Sequence, residues 1–409
     1  MAPPPPKPSP SENAIIIYAE LLTNLRQVTV KAVLPSVADS STEAKVVGGG
    51  KTLVVKHGEQ VQELQLPARI TADGPLPVSR GQSKDLTWRI PIARDELQGG
   101  HFVAEQQPLP WTAVDLVAGS HISCRACNTE IVANGSIKEW KDLPSEGWAE
   151  MMEFWHCHKP VDHDHAHDHA ADEEHLTKRG YGANSAILSR PGTGFIDLMS
   201  FMLSGTDCKS LLYLSPLGES FPLSRSVLNP ETNVKLLGLC CSQCRAEVGS
   251  FNVITASVNL FKWRVICETN KPSSQPSSSE CLVAALTSTI SRSGSSKSVI
   301  IPATQNGNTD DSEKVPMPLH LWVLNNHVVY SSSLHPGVKT AVKILYKDTT
   351  LQEANKMADS LNGDVQDIVF PGPAVADARE ALIWSTSILP HSERSFQAWS
   401  VGLLRRWSP

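Results

Sequence analysis

The chain has 409 residues, 41% of them apolar, which is enough for two or three domains with real cores. A net charge of -6 and a pI near 6.2 argue against a nucleic-acid surface spread over the whole molecule, though not against a local basic patch; a protein partner and no direct nucleic-acid binding are expected. No run of eighteen apolar residues occurs and the start, MAPPPPKPSPS, lacks the apolar stretch of a secretory signal, so no membrane association is expected.

A chain of this kind is expected in the cytoplasm and nucleus, where its nine cysteines serve as metal ligands or free thiols. Residues 1–13 are a proline-rich tail expected to be disordered. Folding starts after it. The runs 14–22, 27–34, 51–56, 61–66 and 86–92 are short, β-branched and partly alternating, with Asn, Gly, Pro and Ser between them, and predict an antiparallel β-rich domain over 14–140. That unit closes on Cys124-Arg125-Ala126-Cys127, between the apolar run 111–117 and the run 129–132. Two thiolates at this spacing in a tight turn are half of a zinc knuckle.

Next comes a segment, 141–160, that combines a helix with metal-capable side chains. Trp148, Met151, Met152 and Trp155 fall at i, i+3, i+4 and i+7, one face of a short helix that Pro144 and Ser145 start and Glu146, Glu150 and Glu153 support. It ends in His156-Cys157-His158, a thiolate between two imidazoles that suits zinc; the plainer alternative is a core helix with a polar last turn. Residues 161–190 open with VDHDHAHDHAADEEH, read as a solvated flexible loop, with metal buffering as the alternative.

The middle segment, 191–269, carries an apolar stretch at 192–214, expected to form strand and helix elements, and further strands around Trp263. Between them lies Cys241-Ser242-Gln243-Cys244, again between an apolar run (234–239) and a strand. Cys124, Cys127, Cys241 and Cys244 are therefore expected to share one structural Zn2+, the alternative being two unrelated turns with free thiols; Cys240 is the spare. A Ser/Pro-rich linker, 270–280, precedes a C-terminal α+β portion, 281–409. There the sequence predicts a helix at 281–291 behind Ser277 and Glu280, and a hairpin joining 319–324 to 327–331 across Asn325-Asn326. A strand at 342–346, helices at 351–361 and 374–388, and a closing strand at 399–404 complete it. The expected fold class is thus α+β and β-rich: an N-terminal antiparallel β unit, a zinc-stapled middle and a C-terminal α+β portion.

LPSEGWAEMMEFWHCHKP, followed by CCSQCRAEVG and preceded by CRAC, resembles the HECT-like proteins that bind ubiquitin-conjugating enzymes, whose fungal members are factors for pre-mRNA cleavage and polyadenylation. The resemblance covers most of the chain from about residue 14. It implies binding of a ubiquitin-conjugating enzyme and ubiquitin-ligase activity through the C-terminal half. It is also similar to proteins that use a short Cys-containing segment to occupy the active site of the two-zinc metallo-β-lactamase endonuclease of mRNA 3′-end processing. That role would fall on Trp155, Cys157 and His158, with Trp148 and His156 beside them, and the implied activity is inhibition and chaperoning of the nuclease.

The two implied functions weigh differently on the residues. A thioester ligase needs an activated acceptor cysteine near the chain end, yet the last cysteine is Cys281 and the 128 residues after it hold none. Cys267 and Cys281 are the acceptor candidates and Cys208 a weaker one, none in a recognisable Cys-His setting. Binding and silencing the endonuclease requires only the Trp155–His158 segment and is the preferred reading. Ubiquitin transfer is the alternative. A third arrangement, with His156, Cys157 and His158 holding a catalytic zinc of the chain's own, has no carboxylate base at recognisable spacing.

Overall fold

The computed structural model describes residues 14–81, 83–93, 109–143, 188–214, 220–222, 236–253, 255–271, 273–303, 316–360 and 364–408. The chain divides into two compact units: one formed by Met1–Gln107, Thr289–Pro302 and Pro316–Arg406, the other by Pro108–Ser288, Ala303–Val315 and Trp407–Pro409. Both Cys pairs lie in the second of these units.

In the first unit, Ile16–Leu22 and Gln27–Val33 are joined by a tight turn in which Arg26 takes a left-handed conformation at φ 52°. Alternation of buried and exposed positions along Gln27–Val33 and Asp85–Pro91 turns one face of these strands inward. They extend a nine-stranded sheet in the order Ser395–Phe396, Trp399–Arg405, His335–Asp348, Leu319–Ser332, Ile16–Leu22, Gln27–Val33 and Asp85–Pro91. Lys297–Ala303 pairs with the first part of Leu319–Ser332, and Val365–Pro371 lies beyond it. A four-stranded sheet of Gln60–Gln65, Thr52–His57, Glu43–Val47 and Gly74–Pro75 shares its core: Ile17, Leu21, Val28 and Val30 pack with Val46, Leu53, Val55 and Leu64. Each such side chain contributes about 1.5–3 kcal/mol by burial.

Among the described residues there are three α-helices: α1 (Ser278–Ser293), α2 (Leu351–Ala358) and α3 (Gly372–Ile388). The expected cap of α1 forms: the Ser277 amide donates to Glu280 Oε2 at 2.9 Å and the Glu280 amide to Ser277 Oγ at 3.2 Å. Thr350 and Glu353 make the same reciprocal pair at α2. Helix α3 packs on Trp399–Arg405, where Gly402 leaves room for Leu382. None of these helices is long and apolar enough to cross a membrane.

The second unit holds an eight-stranded sheet in the order Glu139–Asp142, Thr193–Ile196, Ser200–Ser204, Ser257–Phe261, Glu247–Asn252, Leu236–Cys241, Leu211–Leu214 and Ser220–Pro222. The first two strands run parallel, and the described pairings beyond them are antiparallel. A three-stranded sheet of Val265–Cys267, Ile122–Cys124 and Glu130–Val132 lies in the same unit. Both sheets feed one core, in which Trp111 and Phe201 stack with ring centres 5.9 Å apart.

The β-rich α+β class stands, but several elements differ from expectation. Asn325-Asn326 does not turn the chain. Leu319–Ser332 is one 14-residue strand, and register shifts on either side of Asn325 absorb the polar pair as bulges. Asn325 Oδ1 accepts from the His327 amide at 2.9 Å, and the reversal comes at 333–334, before His335–Asp348. The stretch 192–214 forms strands and a single short 3-10 turn at Gly205–Asp207 instead of an α-helix. Glu43–Val47 is a strand the sequence reading passed over, and α2 stops at Ala358.

Candidate metal centre

Cys124 ends Ile122–Cys124 and Cys127 closes the turn that follows it; Cys241 ends Leu236–Cys241 and Cys244 occupies the equivalent place. The two turns have the same backbone. Asn128 and Arg245, each one residue past the second cysteine, both sit at φ 61°. The Asn128 amide donates to the Cys124 carbonyl at 2.8 Å and the Arg245 amide to the Cys241 carbonyl at 2.9 Å. One step further, the Cys124 amide donates to the Thr129 carbonyl at 2.8 Å and the Cys241 amide to the Ala246 carbonyl at 2.9 Å. A short hairpin folded this way directs both thiols of a Cys-x-x-Cys to one side.

The four sulfur atoms all lie within 4.8 Å of one another. Cys124 Sγ is 3.7 Å from Cys244 Sγ and Cys127 Sγ is 3.6 Å from Cys241 Sγ. A tetrahedral ion with metal–sulfur bonds of about 2.3 Å needs sulfur–sulfur edges of about 3.8 Å, so the donor set fits such an ion with little adjustment. No disulfide joins any of the eight described cysteines. Four thiolates would close such a tetrahedron and leave no position for substrate, the arrangement of a structural and not a catalytic site.

Amide donors to sulfur prepare the ligands. Burial pushes the Cys124 thiol up to about 12, while the Ala126 and Cys127 amides donate to its sulfur and oppose that shift. The hydroxyl and amide of Thr129 hold Cys127 down at about 6, and the Ala246 amide donates to Cys244 in the matching place. These contacts orient the sulfurs and stabilise the thiolates a metal requires. Arg125 anchors the first turn by donating to the Trp263 carbonyl at 3.2 Å and the Pro276 carbonyl at 2.9 Å. Cys240 is buried on its strand outside the cluster.

Neither acceptor candidate is poised for nucleophilic attack. Cys267 is 5% exposed and Cys281 fully buried, and burial pushes both thiols up to about 12. Cys208 is pushed up to about 12 in the same way. Trp148, Trp155, His156, Cys157 and His158, with the helix expected at 146–155 and the His/Asp tract, lie outside the described residues.

These features define a β-rich α+β protein with a four-cysteine cluster that has the geometry of a metal site. The chain belongs to the HECT-like ubiquitin-conjugating enzyme (E2)-binding family, which matches residues 20–401. An uncharacterized protein of Saccharomyces cerevisiae is 30% identical over 108 residues, 25% of this chain and 30% of the yeast protein. An uncharacterized protein of Schizosaccharomyces pombe is 33% identical over 100 residues, 23% of this chain and 26% of its own length. The chain thus spans about a third or less of the length of these curated relatives. No solved structure matches it.

Proposed function

We propose that this chain binds a ubiquitin-conjugating enzyme through a scaffold stapled by structural zinc and does not itself carry ubiquitin on a described cysteine. The observation that carries the reading is the burial of Cys267 and Cys281, both with thiols pushed up to about 12. A thioester acceptor must meet the charged enzyme as a thiolate, and a buried thiol with a raised pKa is neither accessible nor ionised. Family membership over residues 20–401 supports the ubiquitin-conjugating partner. Zinc is the ion that a closed set of four thiolates suits best, and its role is to hold the two hairpins together. The test is co-elution of the full chain with a panel of purified ubiquitin-conjugating enzymes. At least one should form a stoichiometric complex that survives Cys267→Ala and Cys281→Ala; no complex with any member overturns the reading.

A second reading falls on Cys157, the one cysteine of nine not placed by the described residues. In the sequence it is flanked by His156 and His158, with Trp155 two residues before it, a set of side chains suited to a metal edge. In this reading the segment enters the two-zinc site of the 3′-end processing endonuclease, where the thiolate takes the place of the bridging water and His158 adds a second contact. Such a plug is reversible and stabilises the free nuclease, in keeping with work in both cytoplasm and nucleus. Cys157→Ser should release nuclease inhibition while the chain keeps its metal and its melting temperature. Loss of the metal in that variant would assign Cys157 to an internal site instead.

A further inference from the structure

One face of the nine-stranded sheet in the first unit collects aromatic and basic side chains from five neighbouring strands. Lys297 lies opposite Trp322, His320 opposite Lys347, and Phe396 opposite Trp399, so register alone puts these side chains on a common face. Trp322 and Trp399 meet edge to face with ring centres 6.2 Å apart, and His320 meets Trp399 in the same way at 4.7 Å. Lys297 Nζ stands 5.0 Å above the Trp322 ring and Lys347 Nζ 4.5 Å above that of Trp399. Both indoles are half-buried and Phe396 is 51% exposed.

Two features of this cluster are left incomplete by the chain itself. Neither ammonium has a carboxylate ion-pair partner among the described residues; Glu353 acts on Lys347 only at longer range, its carboxylate being held by the Thr349 hydroxyl and the Thr350 amide. His320 is 7% exposed, and neither of its ring nitrogens has a hydrogen-bond partner. Both nitrogens are sealed from solvent, so His320 packs against the Trp399 ring and is not itself within reach of a ligand.

We propose that this face binds single-stranded nucleic acid, with bases stacking on Trp322 and Trp399 and phosphates meeting Lys297 and Lys347. The chemistry follows from the arrangement. An ammonium over an indole is a weak contact at a solvated surface, so each lysine swings off its ring to a phosphate and the exposed indole takes a base. Aromatics on adjacent strands with lysines at the margin suit unstacked bases and flexible backbones, and the interleaved bulky rings do not suit the regular grooves of a duplex. The net charge of -6 belongs to the whole chain and does not describe this face.

The test uses the full-length protein and fluorescence anisotropy with oligouridylate, oligothymidylate, a DNA duplex and polyglutamate. Binding of one or both single strands, with the RNA and DNA arms deciding the sugar preference, and at least about tenfold weaker binding to the duplex is expected. Lys297→Glu with Lys347→Glu should weaken binding at least about tenfold; Lys297→Gln with Lys347→Gln should lower the slope of log affinity against log salt by about 1.4, as for two lost phosphate contacts. The glutamine variant keeps the test open if the charge reversal fails to fold. Failure of both single strands to bind, equal binding to the duplex, an unchanged salt slope, or binding of polyglutamate alone would overturn the proposal.

Discussion

Cys124 and Cys244, 120 residues apart in sequence, bring their sulfur atoms to 3.7 Å. That approach ties a hairpin of the three-stranded sheet to one of the eight-stranded sheet, and four thiols left without an ion would have no comparable attraction. A structural zinc contributes on the order of 10 kcal/mol or more to small domains that depend on it. Cys244→Ser, at the exposed ligand, should cost the chain its metal and lower its melting temperature by roughly 10 °C or more, as should strong chelation. Cys240→Ala should leave one metal per chain. Metal analysis on protein lacking residues 161–175 checks the metal content of both variants, and thermal unfolding checks the loss of stability; retention of a full equivalent in Cys244→Ser would contradict the assignment.

Acid should destabilise the first unit through His320. An unfolded histidine titrates near about 6.5. In the folded chain, burial and the charges of Lys347 and Lys297 push His320 down to about 4. Between these values the unfolded state binds more protons, so stability is complete above the upper one and is lost as pH falls toward the lower, at a slope of at most about 1.4 kcal/mol per pH unit. Urea unfolding at pH 7, 6 and 5 should therefore show a shallower loss in His320→Gln than in the wild type. Parallel losses would remove His320 from the account.

Gly402 marks the closest approach of α3 to its sheet. A methyl group there would meet Leu382 Cδ2 at 2.8 Å and the Leu382 carbonyl oxygen at 3.1 Å. Gly402→Ala should destabilise by about 1–3 kcal/mol, seen as a lower midpoint of thermal or urea unfolding. An unchanged midpoint would mean that the helix shifts freely on the strand.

What the sequence disclosed was what short spacing dictates. The two Cys-x-x-Cys turns were readable because three-residue geometry and the flanking strands decide where the thiols point, and the α1 cap was readable from Ser277 and Glu280 for the same reason. Glu43–Val47 alternates in burial, but the strand is five residues long and runs into Gly48-Gly49-Gly50, so it resembled loop. Asn325-Asn326 looked like a turn because its local preference is for one; the long partner His335–Asp348 overrode that preference with bulges. The Trp322–Trp399 cluster had no local signal at all. Its members are spread from Lys297 to Trp399, and only the register of five strands brings them to one face.

Ubiquitin transfer decides between a binding scaffold and a thioester enzyme, and one gel measures it. The full chain is incubated with a charged ubiquitin-conjugating enzyme that it binds, then resolved with and without reducing agent. The account predicts a complex with the enzyme and no thiol-sensitive ubiquitin adduct on Cys267 or Cys281, because both are buried and un-ionised. A reducible adduct that disappears in Cys267→Ala or Cys281→Ala would contradict it and restore the ligase mechanism.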